Sequence, residues 1–413
     1  MATLVFFTIA FLLIDLYVYQ AVVLVSRELP GAWKTGARFA FWIPSILSIV
    51  ALLWWAFDDP YRYSANFRNW VISGLVATYF SKMFGILFLF VDDLQRAGRW
   101  VLSLFKEATP EKLPGDAITR SEFLSKAALV ATAVPFGTMA FGIISGAHDY
   151  RVRRITVNLP NLPKAFDGIK VGQVSDIHSG SFWNKTAVKG GVEMMLAEKP
   201  DLIFFTGDLV NNETTEVKDY LGIFNHLKAP LGVYSVTGNH DYGDYKAWAS
   251  QEEKARNFKE LVYAHKFMGF RILMNENHVI EQGGERLAIL GVENWGAGRF
   301  AKYGKLEQAY QGTEEAAVKL LLSHDPSHWD AQVRAQHPDI DMTFSGHTHG
   351  FQFGVELGDY FKWSPSQYAY KQWAGLYQEG AQYLYVNRGF GYLGYPGRIG
   401  MPPELTVVTL KRA

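Results

Sequence analysis

Four long apolar runs fall inside the first 150 residues, at roughly 3–26, 39–57, 70–91 and 127–146. A helix needs about 20 such residues to cross the hydrocarbon of a bilayer. The other reading is a set of buried helices in a soluble domain, but four such runs in so short a stretch are too many for one. The first run lacks a basic start and a small-residue cleavage site, so it does not read as a removable leader. Residues 1–148 are therefore expected to form a four-helix transmembrane region. The whole-chain average of 49% hydrophobic and 19% charged residues conceals this division.

Asp15 and Lys82 lie inside the first and third runs. An ionisable group in lipid needs a partner or a place in the bundle interior. They are read either as a structural interhelical pair, or a snorkelling lysine, or as a proton or ligand site. Residues Leu94–Phe105 mix Leu94, Val101, Leu104 and Phe105 with Arg96 and Arg99, a pattern for a helix in the interface or for an ordinary connecting helix.

Loop charge gives an orientation. Arg27, Lys34, Arg38, Arg96, Arg99, Lys106, Lys112 and Arg120 fall on one side; Arg62, Arg68, Arg151, Arg153 and Arg154 fall on the other. The bias puts both termini outside the cytoplasm. The stretch Thr119-Arg120-Ser121-Glu122-Phe123-Leu124-Ser125-Lys126 resembles a twin-arginine export signal with serine in place of the second arginine, which points the same way.

From Arg151 onward short β-branched runs alternate with helical patterns, as in a layered α/β domain. Strands are expected at Lys170–Val174, Leu202–Thr206, Val233–Thr237, Leu287–Val292, Lys319–Ser323, Met342–Ser345, Tyr383–Val386 and Leu405–Leu410. Helices are expected at Thr186–Glu198, Val217–Leu227 and Glu252–Met268. Lys+Arg and Asp+Glu balance at 40 each, and no concentrated basic patch accompanies the motifs, so nucleic acid is not expected as a partner. The chain has no cysteine, which excludes disulfides, thiol nucleophiles and thiolate metal sites.

Five of the expected strands run into metal-capable side chains: Asp176 and His178, Asp208, Asn239-His240-Asp241, His324-Asp325, and His347 with His349. One histidine at a strand end is most simply a packed, hydrogen-bonded residue. Five sets at the edge where open α/β sheets bind ligands are not. Asp176 and His178 are two apart, as are His347 and His349, so an extended backbone would point each pair to one side. Glycines 207, 238 and 346 allow sharp turns and close approach. A donor set of nitrogen and oxygen alone suits Mn, Fe or Zn. Two such ions about 3.5–4 Å apart can clamp a phosphoryl group and generate a hydroxide nucleophile.

The order D-x-H, G-D, G-N-H-D, H, G-H-x-H resembles the calcineurin-like metallophosphoesterases over about Arg154–Leu410. The segments Tyr385-Val386-Asn387-Arg388-Gly389 and Pro402-Pro403-Glu404-Leu405-Thr406 look like the bacterial membrane-anchored branch. The resemblance implies a four-layer αββα sandwich at 154–411 and two divalent metal ions. It implies that Asp176, His178 and His349 hold one ion, that Asn239, His324 and His347 hold the other, and that Asp208 bridges them. His240 would protonate the leaving oxygen or steady transition-state charge, with Asp241 orienting its ring. Asp325 either braces His324 or caps a turn, and Arg388 either touches phosphate or lies on the surface. His226, His265, His328 and His337 are read as surface or packing residues.

The leading functional expectation is a membrane-anchored hydrolase of phosphate esters or anhydrides, acting through a metal-bridged hydroxide on lipid or cell-envelope substrates at a bacterial inner or plasma membrane. A second is a UDP-diacylglucosamine-type pyrophosphatase with a cytoplasmic domain. A third is a non-enzymatic sensor or transporter with the fold as scaffold. The aromatic stretch Phe351–Tyr395, directly after the last ligand, is read as a platform for a lipid-linked or sugar-bearing phosphate, as a rim dipping into the bilayer, or as core and lid packing.

Overall fold

The computed structural model describes residues 2–57, 65–105, 120–358 and 360–413. Arg62, Lys106, Lys112 and Thr119, used above for orientation, lie outside the described residues. The chain divides into two compact units, Met1–Phe141 and Gly142–Ala413.

Four helices dominate the first part of the chain: α1 (Ala2–Val25), α2 (Gly31–Phe57), α3 (Ala65–Ser103) and α4 (Arg120–Ile144). Each is long and apolar enough to cross a membrane. Within the first unit the usual soluble arrangement is inverted. Leu13, Leu47 and Leu87 are largely exposed, while Asp15 and Lys82 are buried and paired at 2.5 Å. Ser45 donates to Asp15 at 2.9 Å and Tyr79 donates at 3.1 Å, so α1, α2 and α3 meet on one carboxylate. That is the arrangement lipid favours, because polar groups find partners only inside the bundle. Gly85 of α3 is needed where α4 passes: a Cβ there would lie 2.2 Å from Thr132 Oγ1. The segment Leu94–Phe105 is not a separate interfacial helix. α3 runs through to Ser103 as one 39-residue helix, about 58 Å at 1.5 Å per residue, so it extends past a hydrocarbon core of about 30 Å.

The second unit is built on two six-stranded sheets. Its strands are β1 (Arg151–Leu159), β2 (Lys170–Val174), β3 (Leu202–Phe205), β4 (Val233–Ser235), β5 (Arg271–Ile272), β6 (Glu276–Gln282), β7 (Glu285–Gly291), β8 (Val318–Leu322), β9 (Met342–Ser345), β10 (Val355–Leu357), β11 (Phe361–Trp363), β12 (Gly375–Glu379), β13 (Gln382–Val386) and β14 (Glu404–Arg412). One sheet has the order β1-β14-β2-β3-β4-β5 and the other β12-β13-β9-β8-β7-β6; β10 and β11 form a separate hairpin. Strands β2, β3 and β4 are mutually parallel, as are β7, β8, β9 and β13.

The period-two pattern of these strands sets the layers. Leu202 and Phe204 join Leu320, Leu322 and Phe344 in a core between the sheets. Ile203 and Phe205 point the other way, into a core shared with α5 (Lys185–Ala197) and with Leu261 and Ala264 of a later helix. Leu321 and Val386 face a third cluster with Trp329 and Val333. The result is the four-layer αββα sandwich. The Val217–Leu227 expectation is corrected: a 3-10 turn at Thr214–Val217 precedes α6 (Leu221–Phe224), which is a single turn. The last expected helix is present as α7 (Gln251–Phe267), with Ser250 Oγ accepting from Glu253 N at its start.

Candidate metal centre

The parallel strands end on one edge, and the chemistry sits in the loops that follow. Asp176 and His178 follow β2, Asp208 follows β3, Asn239 and His240 follow β4, His324 follows β8, and His347 and His349 follow β9. Backbone bonds lace these loops together: Asp176 N donates to Gly207 O at 2.9 Å, His178 N to Asp208 O at 3.1 Å, and Gly346 N to His324 O at 2.9 Å. Gln173 ties the two sheets beneath them, donating to Ser345 O at 2.9 Å.

The geometry that gathers the side chains is not the strand pleat expected from the two-residue spacings. Strand β2 ends at Val174 and β9 at Ser345. Asp176, His178, Asp208, His347 and His349 all take left-handed backbone, with φ of 51°, 48°, 58°, 72° and 52°. Non-glycine residues rarely adopt that region, at roughly 1–3 kcal/mol each, and such outliers cluster at functional sites. Gly207 supplies a further turn at φ 97°, where a Cβ would lie 2.6 Å from Gly238 N.

Two groups of ligand-capable atoms result: Asp176, His178 and His349, and Asp208, His324 and His347, each with its atoms within 4.8 Å of one another. The Asp208 carboxylate lies between them, with Oδ2 at 3.1 Å from His324 Nε2 and 3.5 Å from His178 Nε2. The hydrogen bonds around the rings fix what faces inward. His178 Nδ1 meets Asn211 Oδ1 at 3.0 Å, and Asn211 Nδ2 donates to Ser181 Oγ, so the ring nitrogen donates and Nε2 keeps its lone pair. His324 Nδ1 donates to Thr206 O at 2.7 Å, which turns its Nε2 toward Asp208. His178 Nε2 and His349 Nε2 face each other at 3.0 Å. Asn239 Oδ1 is buried with no hydrogen-bond partner, while its Nδ2 donates to Tyr245 Oη at 2.9 Å. Converging ring nitrogens and carboxylate oxygens beside an orphaned buried oxygen are unfavourable unless a cation lies among them, so the donor set fits divalent metal. Burial pulls His178 down to about 3 and His347 to about 4, leaving both imidazoles in the neutral form that binds metal. Burial alone would do the same to His324, but the Asp208 carboxylate outweighs it and raises that ring to about 10.

Comparison with known proteins places this geometry. A model described as "Calcineurin-like phosphoesterase" matches residues 169–351. One described as "Probable Calcineurin-like phosphoesterase, transmembrane domain" matches residues 1–147. Residues 169–351 carry a calcineurin-like phosphoesterase domain. Among its relatives, the Bacillus subtilis metallophosphoesterase YkuE is 29% identical over 67% of this chain and 94% of its own length. The transmembrane protein with metallophosphoesterase domain of Danio rerio is 28% identical over 79% of this chain and 71% of its own. That of Bos taurus is 27% identical over 97% of this chain and 87% of its own. The likeness extends to animals and is not confined to a bacterial branch. This phosphoesterase is a membrane protein.

Two side chains, Asp241 and Arg388, sit differently from the roles read for them, and Asp325 takes one of its two. Asp241 does not orient His240: the His240 Nδ1 donates to Asn211 O at 2.7 Å. Asp241 instead accepts from four backbone N–H groups, of Gly238, Asp208, Leu209 and Val210, at 2.9, 3.0, 2.8 and 3.3 Å. Asp325 caps a turn, accepting from Ser327 N and Oγ at 2.8 and 2.7 Å. Arg388 is neither at the surface nor free for phosphate; it is buried between Glu404, at 2.5 Å, and Glu356. His265 and His328 are buried packing residues, each bonded to a serine, and His226 is exposed.

Several contributors carry no motif in the sequence. Asn211 holds both His178 and, through its carbonyl, His240. Tyr370 Oη lies 2.6 Å from His347 Nε2. Arg398, fully buried, donates to the carbonyls of Arg388, Gly389, Gly391 and Met401, bracing the turn behind His349. The only sequence signal for any of them is position: Asn211 follows Asp208 by three residues.

Proposed function

We propose that this phosphoesterase hydrolyses phosphate esters or anhydrides of lipid or cell-envelope molecules, using two divalent ions. The observation that carries the reading is the Asp208 carboxylate set between the two His/Asp groups. In this reading Asp176, His178 and His349 hold one ion, Asn239, His324 and His347 the other, and Asp208 both. Bound there, the ions supply Lewis acidity and lower the pKa of water toward neutrality.

The chain's own residues do the rest. Asn211 and Thr206 each take an Nδ1 proton, from His178 and His324, so that both rings turn Nε2 inward. His240 keeps its Nε2 free by donating from Nδ1 to Asn211 O. When that nitrogen carries a second proton, it is the group to give that proton to the leaving oxygen or steady its charge, a role worth about 10²–10⁴-fold. Asp241 keeps the Asp208 loop and the Gly238 loop at fixed separation. The loop-charge bias supports a catalytic domain outside the cytoplasm of a bacterial inner or plasma membrane.

The test is hydrolysis of bis(4-nitrophenyl) phosphate and 4-nitrophenyl phosphate by the purified full-length protein, with and without Mn²⁺, beside metal analysis. Metal-dependent turnover is expected, lost in Asp208→Asn together with bound metal, and lost in His240→Ala with metal retained. A protein that binds no metal and turns over neither ester refutes the reading.

A further inference from the structure

The β10–β11 hairpin is built inside out. Its register pairs Val355 with Trp363, Glu356 with Lys362, and Leu357 with Phe361. Paired residues share a face, so one face is Glu356 and Lys362 and the other is Val355, Leu357, Phe361 and Trp363. In a soluble sheet the apolar face packs inward and the charged face meets water. Here the charged face is the one tied to the protein. Glu356 pairs with Arg153 and Arg388. Lys362 donates to Ala374 O and lies over the rings of Trp373 and Tyr377, at 4.7 and 5.3 Å. The apolar face is open: Leu357 is 63% exposed and Phe361 50%.

The same exposure continues toward the metal loops. Phe351, two residues after His349, is 64% exposed on left-handed backbone at φ 56°. Phe353 is half-exposed and meets Trp363 edge to face at 6.0 Å. At the hairpin's turn, Tyr360 is 99% exposed. A contiguous exposed apolar patch marks an interaction surface. Reversed polarity with an aromatic tip matches what a lipid-facing strand and an interfacial anchor require. The chain supplies the occupant itself, since its four membrane helices hold the domain at a bilayer at all times.

We infer that the β10–β11 hairpin, with Phe351 and Phe353, dips into the bilayer interface and presents the metal centre to the headgroup layer. Lipid contact by the hairpin stands whether or not the substrate is itself a lipid, so this inference is separable from the hydrolase reading. It also gives that reading a substrate route: a phosphate at headgroup depth would reach the site without leaving the membrane.

The absence of cysteine makes the test clean. Leu357→Cys, Tyr360→Cys and, as a control on an exposed position elsewhere, Lys228→Cys are introduced singly into the full chain. Each is labelled with an environment-sensitive fluorophore and reconstituted into phosphatidylcholine–phosphatidylglycerol vesicles. The labels at 357 and 360 are expected to shift to the blue and to be quenched by brominated lipid at a depth of about 5–10 Å, while the label at 228 is quenched only by aqueous iodide. Iodide quenching at 357 and 360 without lipid quenching overturns the inference. Protection from both quenchers also overturns it, by assigning the face to a second protein surface. Both labelled positions are exposed, so a folding defect is not expected; two independent sites guard against one perturbed label. Loss of esterase activity with lipid quenching intact would sink the hydrolase reading and leave the hairpin inference standing.

Discussion

Replacing Asp241 by asparagine separates two accounts of what this carboxylate does. Its two oxygens accept four backbone N–H groups, two each: Gly238 and Asp208 on one, Leu209 and Val210 on the other. Asparagine keeps one oxygen and turns an NH₂ toward the second pair of donors, so two hydrogen bonds to a charged acceptor are lost. At about 1.5–3 kcal/mol each, the loss is about 3–6 kcal/mol, a large share of a typical 5–15 kcal/mol total. At about 2–4 °C per kcal/mol for a domain of this size, the melting temperature should fall by roughly 6–24 °C. The assay is thermal unfolding of the full-length protein in detergent, followed by tryptophan fluorescence, for Asp241→Asn, His240→Ala and the double variant. Because the His240 ring is held by Asn211 and not by Asp241, the loss on Asp241→Asn should be the same with or without His240, within the roughly 0.3–0.5 kcal/mol that independent sites show. A wild-type melting temperature in Asp241→Asn, or a loss that vanishes in the His240→Ala background, would refute the backbone-clamp reasoning and restore the ring-orienting role.

Burial holds His265 down to about 3 from its usual 6.5, so its stabilising effect is complete above pH 6.5 and lost as the pH falls toward 3; by pH 5 that amounts to about 2 kcal/mol. Melting temperatures compared at pH 8 and pH 5 should show a smaller drop for His265→Gln than for the wild type, and equal drops would refute the assignment. In the membrane unit, Lys82→Met leaves the Asp15 carboxylate buried without its cation and should destabilise by about 3–5 kcal/mol, while adding Asp15→Leu should recover most of it; unfolding in detergent reads both, and an unaltered single variant would deny the pair its place in the interior. Gly207→Ala forces a Cβ into left-handed backbone and against Gly238 N, so bound metal measured on the purified protein should fall well below stoichiometric; full occupancy would show the turn can relax.

The legible part of this protein was what local chemistry writes into short stretches. Strands β2 and β9 could be read to the residue, because buried β-branched and aromatic runs there end sharply at Ser-Asp and Gly-His sequences. The apolar runs were equally plain, since lipid leaves a chain few alternatives. What escaped was long-range or conformational. β6 and β12 expose much of their length, so they carry no clear apolar period. α3 continued past its apolar stretch because helix geometry does not stop where hydrophobicity does. The left-handed turns at Asp176, His178 and Asp208 occur at residues with a Cβ; Asp and His enter that region more often than other such residues but still rarely, and the two-residue spacing suggested a pleat that is absent. Asp241 was misread because a carboxylate beside a histidine looks like its partner, and only the fold reveals four amides converging on it from two loops.

Strand β14 has a consequence for how the chain is made. It is the last strand of the protein, yet it lies second in its sheet, between β1 and β2, pairing along the full nine residues of β1 from Arg151–Glu404 to Leu159–Arg412. Among the described residues β1 has no other ladder partner, so its pairing waits until Glu404–Arg412 has been made, at about 5–20 residues per second. The membrane helices can insert before that moment, while the phosphoesterase unit still lacks the strand that joins β1 to β2. Synthesis thereby orders events: anchor first, then closed enzyme, with β14 acting as the latch.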